Sequence, residues 1–199
     1  AEKAVGRLNE LMEDEDDRKI ILKKLYEEVT RDLGGKAYWG IGGDNLPDVK
    51  IYALKENLEI LRKMERAARR DRNRLTYLWG PHGSGKNYLA DLFAAMRNQG
   101  RTILSAHDDM SVDEIFEKQI IIRIPDPKAP PGAPLVTETR WMLTEFAEAM
   151  IRGYIAVWDE FDQMPARVKA ALNGALQERR FERHDGTVIE FAPDSLVLA

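Results

Sequence analysis

Cysteine is missing altogether from this 199-residue chain, which excludes a disulfide scaffold, a thiolate zinc site and a cysteine nucleophile. Histidine is nearly as scarce: His82, His107 and His184 are the only three, and none stands at metal-ligand spacing from another. A dominant charge is lacking too. The formal net charge of -4 excludes a generally basic nucleic-acid binder, while leaving room for a local basic face. No apolar run is long enough to cross a bilayer and no signal-peptide pattern is read, so the expectation is a soluble, cytoplasmic protein with no membrane partner. What remains is 44% hydrophobic and 32% charged, enough to build a core in one sizeable domain or in a domain with a helical extension.

The first third reads as helical. Ile20, Ile21, Leu25, Tyr26, Val29 and Leu33 recur at three and four residues, and Gly34-Gly35 stops the run. The acidic stretch Glu13 to Asp17 lacks the glycine and distal glutamate of a calcium loop, so it is read as a helix start, where acids meet the positive end of the dipole. Gly40 to Pro47 is read as a linker or loop. A second helix carries Ile51, Leu54, Leu58, Leu61 and Met64 on one face and enters a basic stretch of Arg62, Lys63, Arg66, Arg69, Arg70, Arg72 and Arg74. That stretch is read as a solvated face rather than a nucleic-acid grip, because no aromatics interleave with the arginines.

Beyond it, short apolar strands at Leu75–Trp79, Thr102–Ala106, Tyr154–Trp158 and Ser195–Leu198 alternate with helices near Lys86–Arg97, Glu138–Arg152 and Pro165–Glu178. This alternation predicts an α/β fold with a parallel sheet covered by helices on both faces. Trp141, Met142, Phe146 and Met150 are expected on one helix, packing the core, and the proline-dense segment Asp126 to Pro134 as an exposed loop. The domain expectation is a helical segment and linker over 1–50 and an α/β core over 51–199.

Gly80-Pro81-His82-Gly83-Ser84-Gly85-Lys86-Asn87 follows an apolar strand and opens an amphipathic helix with Leu89, Phe93 and Met96 on one side. Strand, glycine-rich loop, lysine and helix make a phosphate loop. Glycines let successive N–H groups approach phosphate oxygens, the helix N-terminus adds partial positive charge, and the Lys86 ammonium reaches the β and γ phosphates. Gly80, Pro81, His82, Gly83, Ser84, Gly85, Lys86, Asn87 and Tyr88 are therefore the candidate nucleotide-binding residues. The position after the lysine calls for a Ser or Thr hydroxyl on Mg²⁺, and here it is Asn87, whose amide oxygen is a hard ligand of different reach. The Ser84 hydroxyl has no base beside it and is not read as a nucleophile.

The apolar run Tyr154 to Trp158 ends in Asp159-Glu160. Below a phosphate loop, such a pair supplies Asp159 as the second Mg²⁺ ligand with Asn87, and Glu160 as general base for the attacking water. The two ends are expected on neighbouring parallel strands. ATP is preferred to GTP because no Asn-Lys-x-Asp pattern is present.

The run Trp158-Asp159-Glu160-Phe161-Asp162, then Pro165, then Ala171 to Arg180, resembles the MoxR/CobS-type branch of AAA+ P-loop ATPases over about residues 75–199. The resemblance implies a β-hairpin before the last core strand, fitted here by Arg180 to Phe191 with Asp185-Gly186 as its turn. Ser195 to Ala199 resembles the strand that carries the family's sensor residue. It also implies ATP and Mg²⁺ as ligands and a homo-oligomeric, hexameric ring whose hairpins face the central axis. Neighbouring subunits would exchange arginines, with Arg179, Arg180 and Arg183 as nearby candidates, and the ring would do mechanical work on a protein substrate or adaptor. A weakly hydrolysing nucleotide switch, suggested by Asn87, and a nucleic-acid motor, suggested by the basic stretch, stand as alternatives.

Overall fold

The computed structural model describes residues 2–33, 39–40, 46–52, 54–69, 75–81, 83–124, 128 and 135–199. The expectations at Gly34-Gly35, most of the 40–47 linker, Arg70, Arg72, Arg74, His82 and most of the 126–134 loop lie outside these residues.

Helices α1 (Glu2–Leu11) and α2 (Glu15–Thr30) are separated by a tight turn. The turn ends at Asp14, whose carboxylate accepts from the amides of Asp16 and Asp17. The acidic stretch is thus an N-cap, its side chain satisfying donors that the first helical turn leaves unpaired. Helix α2 packs on α3 (Leu54–Ala68) and on α4 (Lys86–Met96). The connection carrying Trp39 and Gly40 is pinned to the end of α4: the Gly40 amide donates to Arg97 O at 2.8 Å. A side chain at Gly40 would sit 2.3 Å from the Asn98 carbonyl oxygen, so only glycine allows this approach.

Four strands, β1 (Leu75–Thr76), β2 (Arg101–Ser105), β5 (Ile155–Asp159) and β8 (Leu196–Leu198), form a parallel sheet in the order β1-β8-β5-β2. Alternate residues serve opposite cores, as the pleat requires. Ile155, Val157, Leu196 and Leu198 join Leu92, Phe93 and Met96 of α4 and the residues of α2 and α3. Ala156, Trp158 and Val197 join Phe146 and Met150 of α6 (Glu145–Arg152) and Val168, Leu172 and Leu176 of α7 (Ala166–Glu178). Helices cover both faces, as the alternation predicted.

Two expectations are corrected. The acidic strand β5 does not neighbour β1; β8 lies between them. Nor does a helix start at Glu138. Residues Val136–Leu143 form strand β4, paired antiparallel along its whole length with β3 (Glu117–Ile124), and the helix begins only after Thr144. The β-branched residues Ile120, Ile121, Ile122, Val136, Thr137 and Thr139 favour this extended ribbon. The Thr144 hydroxyl then accepts from the Ala147 amide and caps α6. Phe146 and Met150 are in the core as expected. Trp141 instead stacks on His184 at 4.7 Å between ring centroids, and Met142 is 46% exposed.

A second ribbon, β6 (Arg180–Glu182) with β7 (Val188–Glu190), turns at Asp185-Gly186, where Gly186 takes φ +81°. The two ribbons are clasped at Glu117. Its nearly buried carboxylate takes the Arg183 guanidinium at 2.8 Å and the His184 amide at 2.7 Å, with the His184 ring at 3.2 Å. Burial works to raise this carboxyl, but the hydrogen bonds and the Arg183 charge outweigh it and hold Glu117 below the ordinary glutamate range.

Candidate functional site

The short strand β1 releases the chain into the 77–85 loop, which stays stitched to β8 through Leu78 N to Ala199 O at 2.6 Å. Gly83 and Gly85 take φ +76° and +80°, left-handed conformations that favour glycine. Gly85 stands at the N-cap of α4 with no side chain capping the helix, so the amides of its first turn face the loop without a side-chain acceptor. The Ser84 amide donates to Pro81 O, closing the turn. Lys86 is the first residue of α4, and its ammonium folds back on the Gly80 and Pro81 carbonyls at 2.9 and 3.2 Å.

At the carboxyl end of β5, Asp159 Oδ1 accepts the Glu160 amide at 3.1 Å. Glu160 holds φ +54°, a left-handed conformation that costs a non-glycine residue about 1 kcal/mol or more. It opens the 3-10 turn Phe161–Gln163, which leads through Met164 and Pro165 into α7. Loop and acids meet across the sheet end. Trp79, Gly80, Lys86, Asn87, Asp159 and Glu160 line one cavity of about 500 Å³. One strand intervenes, yet the expected parts come together.

The other expected residues fall as follows. Gly83, Ser84 and Gly85 form the turn that leads into α4. The Tyr88 hydroxyl turns to Tyr52, accepting its amide at 2.9 Å and donating to its carbonyl at 3.4 Å, so the side chain fastens the 51–52 segment to α4. Burial pushes this phenol up from its ordinary value. Arg179 is engaged internally: its guanidinium bonds the carbonyls of Ala192 and Ser195 and the Ser195 hydroxyl, beside the Phe191 ring. Arg183 is held by Glu117, while Arg180 is exposed beside Glu178. In the basic stretch, Arg62, Lys63 and Arg69 pair with Glu28, Glu59 and Glu65.

The donor set fits Mg²⁺. The ion takes hard oxygens in small number, one or two from protein and the rest from water and phosphate, so a carboxylate and an amide oxygen in one cavity suffice. Tyr77, Trp79, Phe161 and Lys169 also line this cavity, and none of them is assigned a role in the site from sequence alone. Trp79 ends an apolar run and was counted as strand, yet it is 99% exposed at the cavity mouth. Tyr77 meets the Phe161 ring edge-on at 5.4 Å, and Lys169 of α7 lies over that ring.

Residues 76–199 match the family model described as AAA domain (dynein-related subfamily). That span holds the loop, the acids, both ribbons and β8. No curated protein matches the chain. A solved structure of a candidate ATPase from Cytophaga hutchinsonii is similar at 16% identity and a TM-score of 0.47. The alignment covers 92% of this chain and 45% of that one. No helix among the described residues is long and apolar enough to cross a membrane.

Proposed function

The chain belongs to the AAA domain family, dynein-related subfamily, and from that premise we propose that it binds ATP with Mg²⁺ between residues 80–88, the glycine loop with the start of α4, and Asp159-Glu160, and hydrolyses it. The observation that carries this is the shared cavity: a glycine loop with its lysine and a strand-end acid pair line the same space although 73 positions separate Lys86 from Asp159 (159 minus 86). In this reading the Lys86 ammonium exchanges the Gly80 and Pro81 carbonyls for phosphate oxygens. The first-turn amides of α4 donate to the phosphate oxygens without a competing side-chain cap. Asn87 and Asp159 would hold Mg²⁺, which neutralises charge on the phosphates. Glu160 orients the attacking water and takes its proton. Water oxygen joins the terminal phosphorus, the bond to the bridging oxygen breaks, and ADP leaves with that electron pair.

Finer points of the proposal are a MoxR/CobS-like branch, a homo-oligomeric ring, and a protein substrate or adaptor met by the β6–β7 hairpin. The 1–50 segment is proposed as a helical extension of the 51–199 core. Asn87 supports a second reading, a nucleotide switch with weak turnover.

Lys86→Ala and Glu160→Gln test the assignment by equilibrium binding of ATP and by phosphate release. Lys86→Ala abolishes binding in a folded protein. Glu160→Gln retains binding and loses turnover by about 10²–10⁴-fold, the usual contribution of a positioned base. A folded Lys86→Ala protein with unchanged ATP affinity refutes the site. Tight binding by the unaltered chain, with turnover no faster than Glu160→Gln, selects the switch reading.

A further inference from the structure

We propose that Lys169 is a second phosphate-binding cation of this cavity, supplied by the chain's own α7 and directed to the terminal phosphate of the nucleotide. The inference rests on the nucleotide reading of the cavity and adds to it a residue outside both motifs. Lys169 stands in the first turn of α7, next to the buried Val168 that fixes the helix on the sheet. The side chain is half-buried along the Phe161 ring, with its ammonium 5.4 Å from the ring centroid and 2.9 Å from the Asp162 carbonyl oxygen. Tyr77 packs edge-on against the same ring at 5.4 Å and steadies the platform.

Three features single this lysine out. It lines the cavity together with Lys86, Asn87, Asp159 and Glu160. Among the described residues it makes no ion pair, whereas Arg179 and Arg183, beyond the other end of α7, are engaged by internal acceptors. An ammonium carries three donors, and a carbonyl and a ring face leave Lys169 with donors to give. Lys86 is held in the same provisional way, by backbone carbonyls alone.

Charge gives the site its purpose. The charged residues lining the cavity are the acids Asp159, Glu160 and Asp162 and the cations Lys86 and Lys169, three negative against two positive, for a balance of -1. Without Lys169 the balance is -2, opposing entry of a triphosphate. Lys169 bonds the Asp162 carbonyl and lies over Phe161, residues directly after Glu160, and this place on the acid side of the cavity assigns it to the terminal group. That group carries negative charge spread over three oxygens before and during transfer, and ADP lacks it. Lys169 moves no proton. It leaves the Asp162 carbonyl when the terminal phosphate arrives and returns to it once phosphate departs.

The test compares a non-hydrolysable ATP analogue with ADP, each with Mg²⁺, on the full chain by calorimetric titration. Lys169→Met keeps the apolar stem on Phe161 and removes the charge. Analogue affinity falls about 10–100-fold, the range for one charged hydrogen-bonding partner, while ADP affinity stays within about twofold, and Lys169→Arg restores most of the loss. Lys169→Gln supplies the same comparison if the methionine variant fails to fold. Equal weakening of both nucleotides, or no weakening of either, overturns the proposal. If Lys86→Ala binds both nucleotides normally, the cavity reading itself falls; if Lys86→Ala loses binding and Lys169→Met does not discriminate, Lys169 alone is excluded.

Discussion

Replacing Glu65 by methionine tests how the N-terminal helices hold the nucleotide-bearing helix. Glu65 is fully buried on α3. Its carboxylate meets the Arg97 guanidinium at 2.5 Å just past the end of α4, the Arg69 Nε at 2.9 Å and the Tyr26 hydroxyl at 3.4 Å. Arg97 is 2% exposed and passes the network on to Gln99, whose amide reaches the carbonyls of Gly153 and Asp194. Methionine fills similar volume, so the loss is that of the anion facing two cations, the buried Arg97 and the largely buried Arg69. Breaking such a pair from one side costs about 3–5 kcal/mol, against a total stability of about 5–15 kcal/mol. For a chain of this size that is a fall in Tm of roughly 6–20 °C. Thermal and urea unfolding followed by circular dichroism measure it. The double variant Glu65→Met/Arg97→Met recovers part of the loss, since the buried Arg97 charge goes with its partner while Arg69 loses the carboxylate and keeps the Leu33 carbonyl. Glu59→Ala, which removes an exposed ion pair with Lys63, leaves the midpoint in place. A Glu65→Met loss below about 1 kcal/mol refutes the reasoning, because a buried cation would then be tolerated unpaired.

Two further outcomes follow from local geometry. Because Glu117 is held below its ordinary range in the folded state, the clasp contributes stability at neutral pH, and this is lost as pH falls below about 4.5 through the lowered folded value; urea midpoints across that range should flatten in Glu117→Gln, and equal acid sensitivity in both proteins contradicts the clasp. Gly174 lies inside α7 where an added methyl would meet nothing within 4 Å, so Gly174→Ala should raise stability by about 0.5–1 kcal/mol, and a fall would show a crowding neighbour.

Much of this arrangement is legible in the sequence because it rests on local rules. The glycines at 83 and 85, the lysine after them and the strand-end acids each announce themselves within a few residues, and the alternation of strands with helices gives the layered fold. The order of strands is different in kind. That β8 enters between β1 and β5 depends on pairings between positions such as Thr76 and Leu198, which no nearby pattern encodes. The β3–β4 ribbon was hidden for a related reason. Glu138, Arg140, Met142 and Leu143 suit a helix, and only their partners some twenty residues upstream hold them extended. Lys169 reads as an ordinary surface lysine of an amphipathic helix until the turn after Glu160 brings Phe161 beneath it.

A two-stranded ribbon by itself is soft, and either of these, left alone, would bend under load. The Glu117 carboxylate changes that by joining the root of one ribbon to the turn of the other. α7 follows the acid pair by a single 3-10 turn and ends where β6 starts, so it joins the acid end of the sheet to the β6–β7 ribbon and, through Glu117, to β3. The tip of one hairpin is thus anchored to the base of the other, and neither can swing without pulling on the same carboxylate.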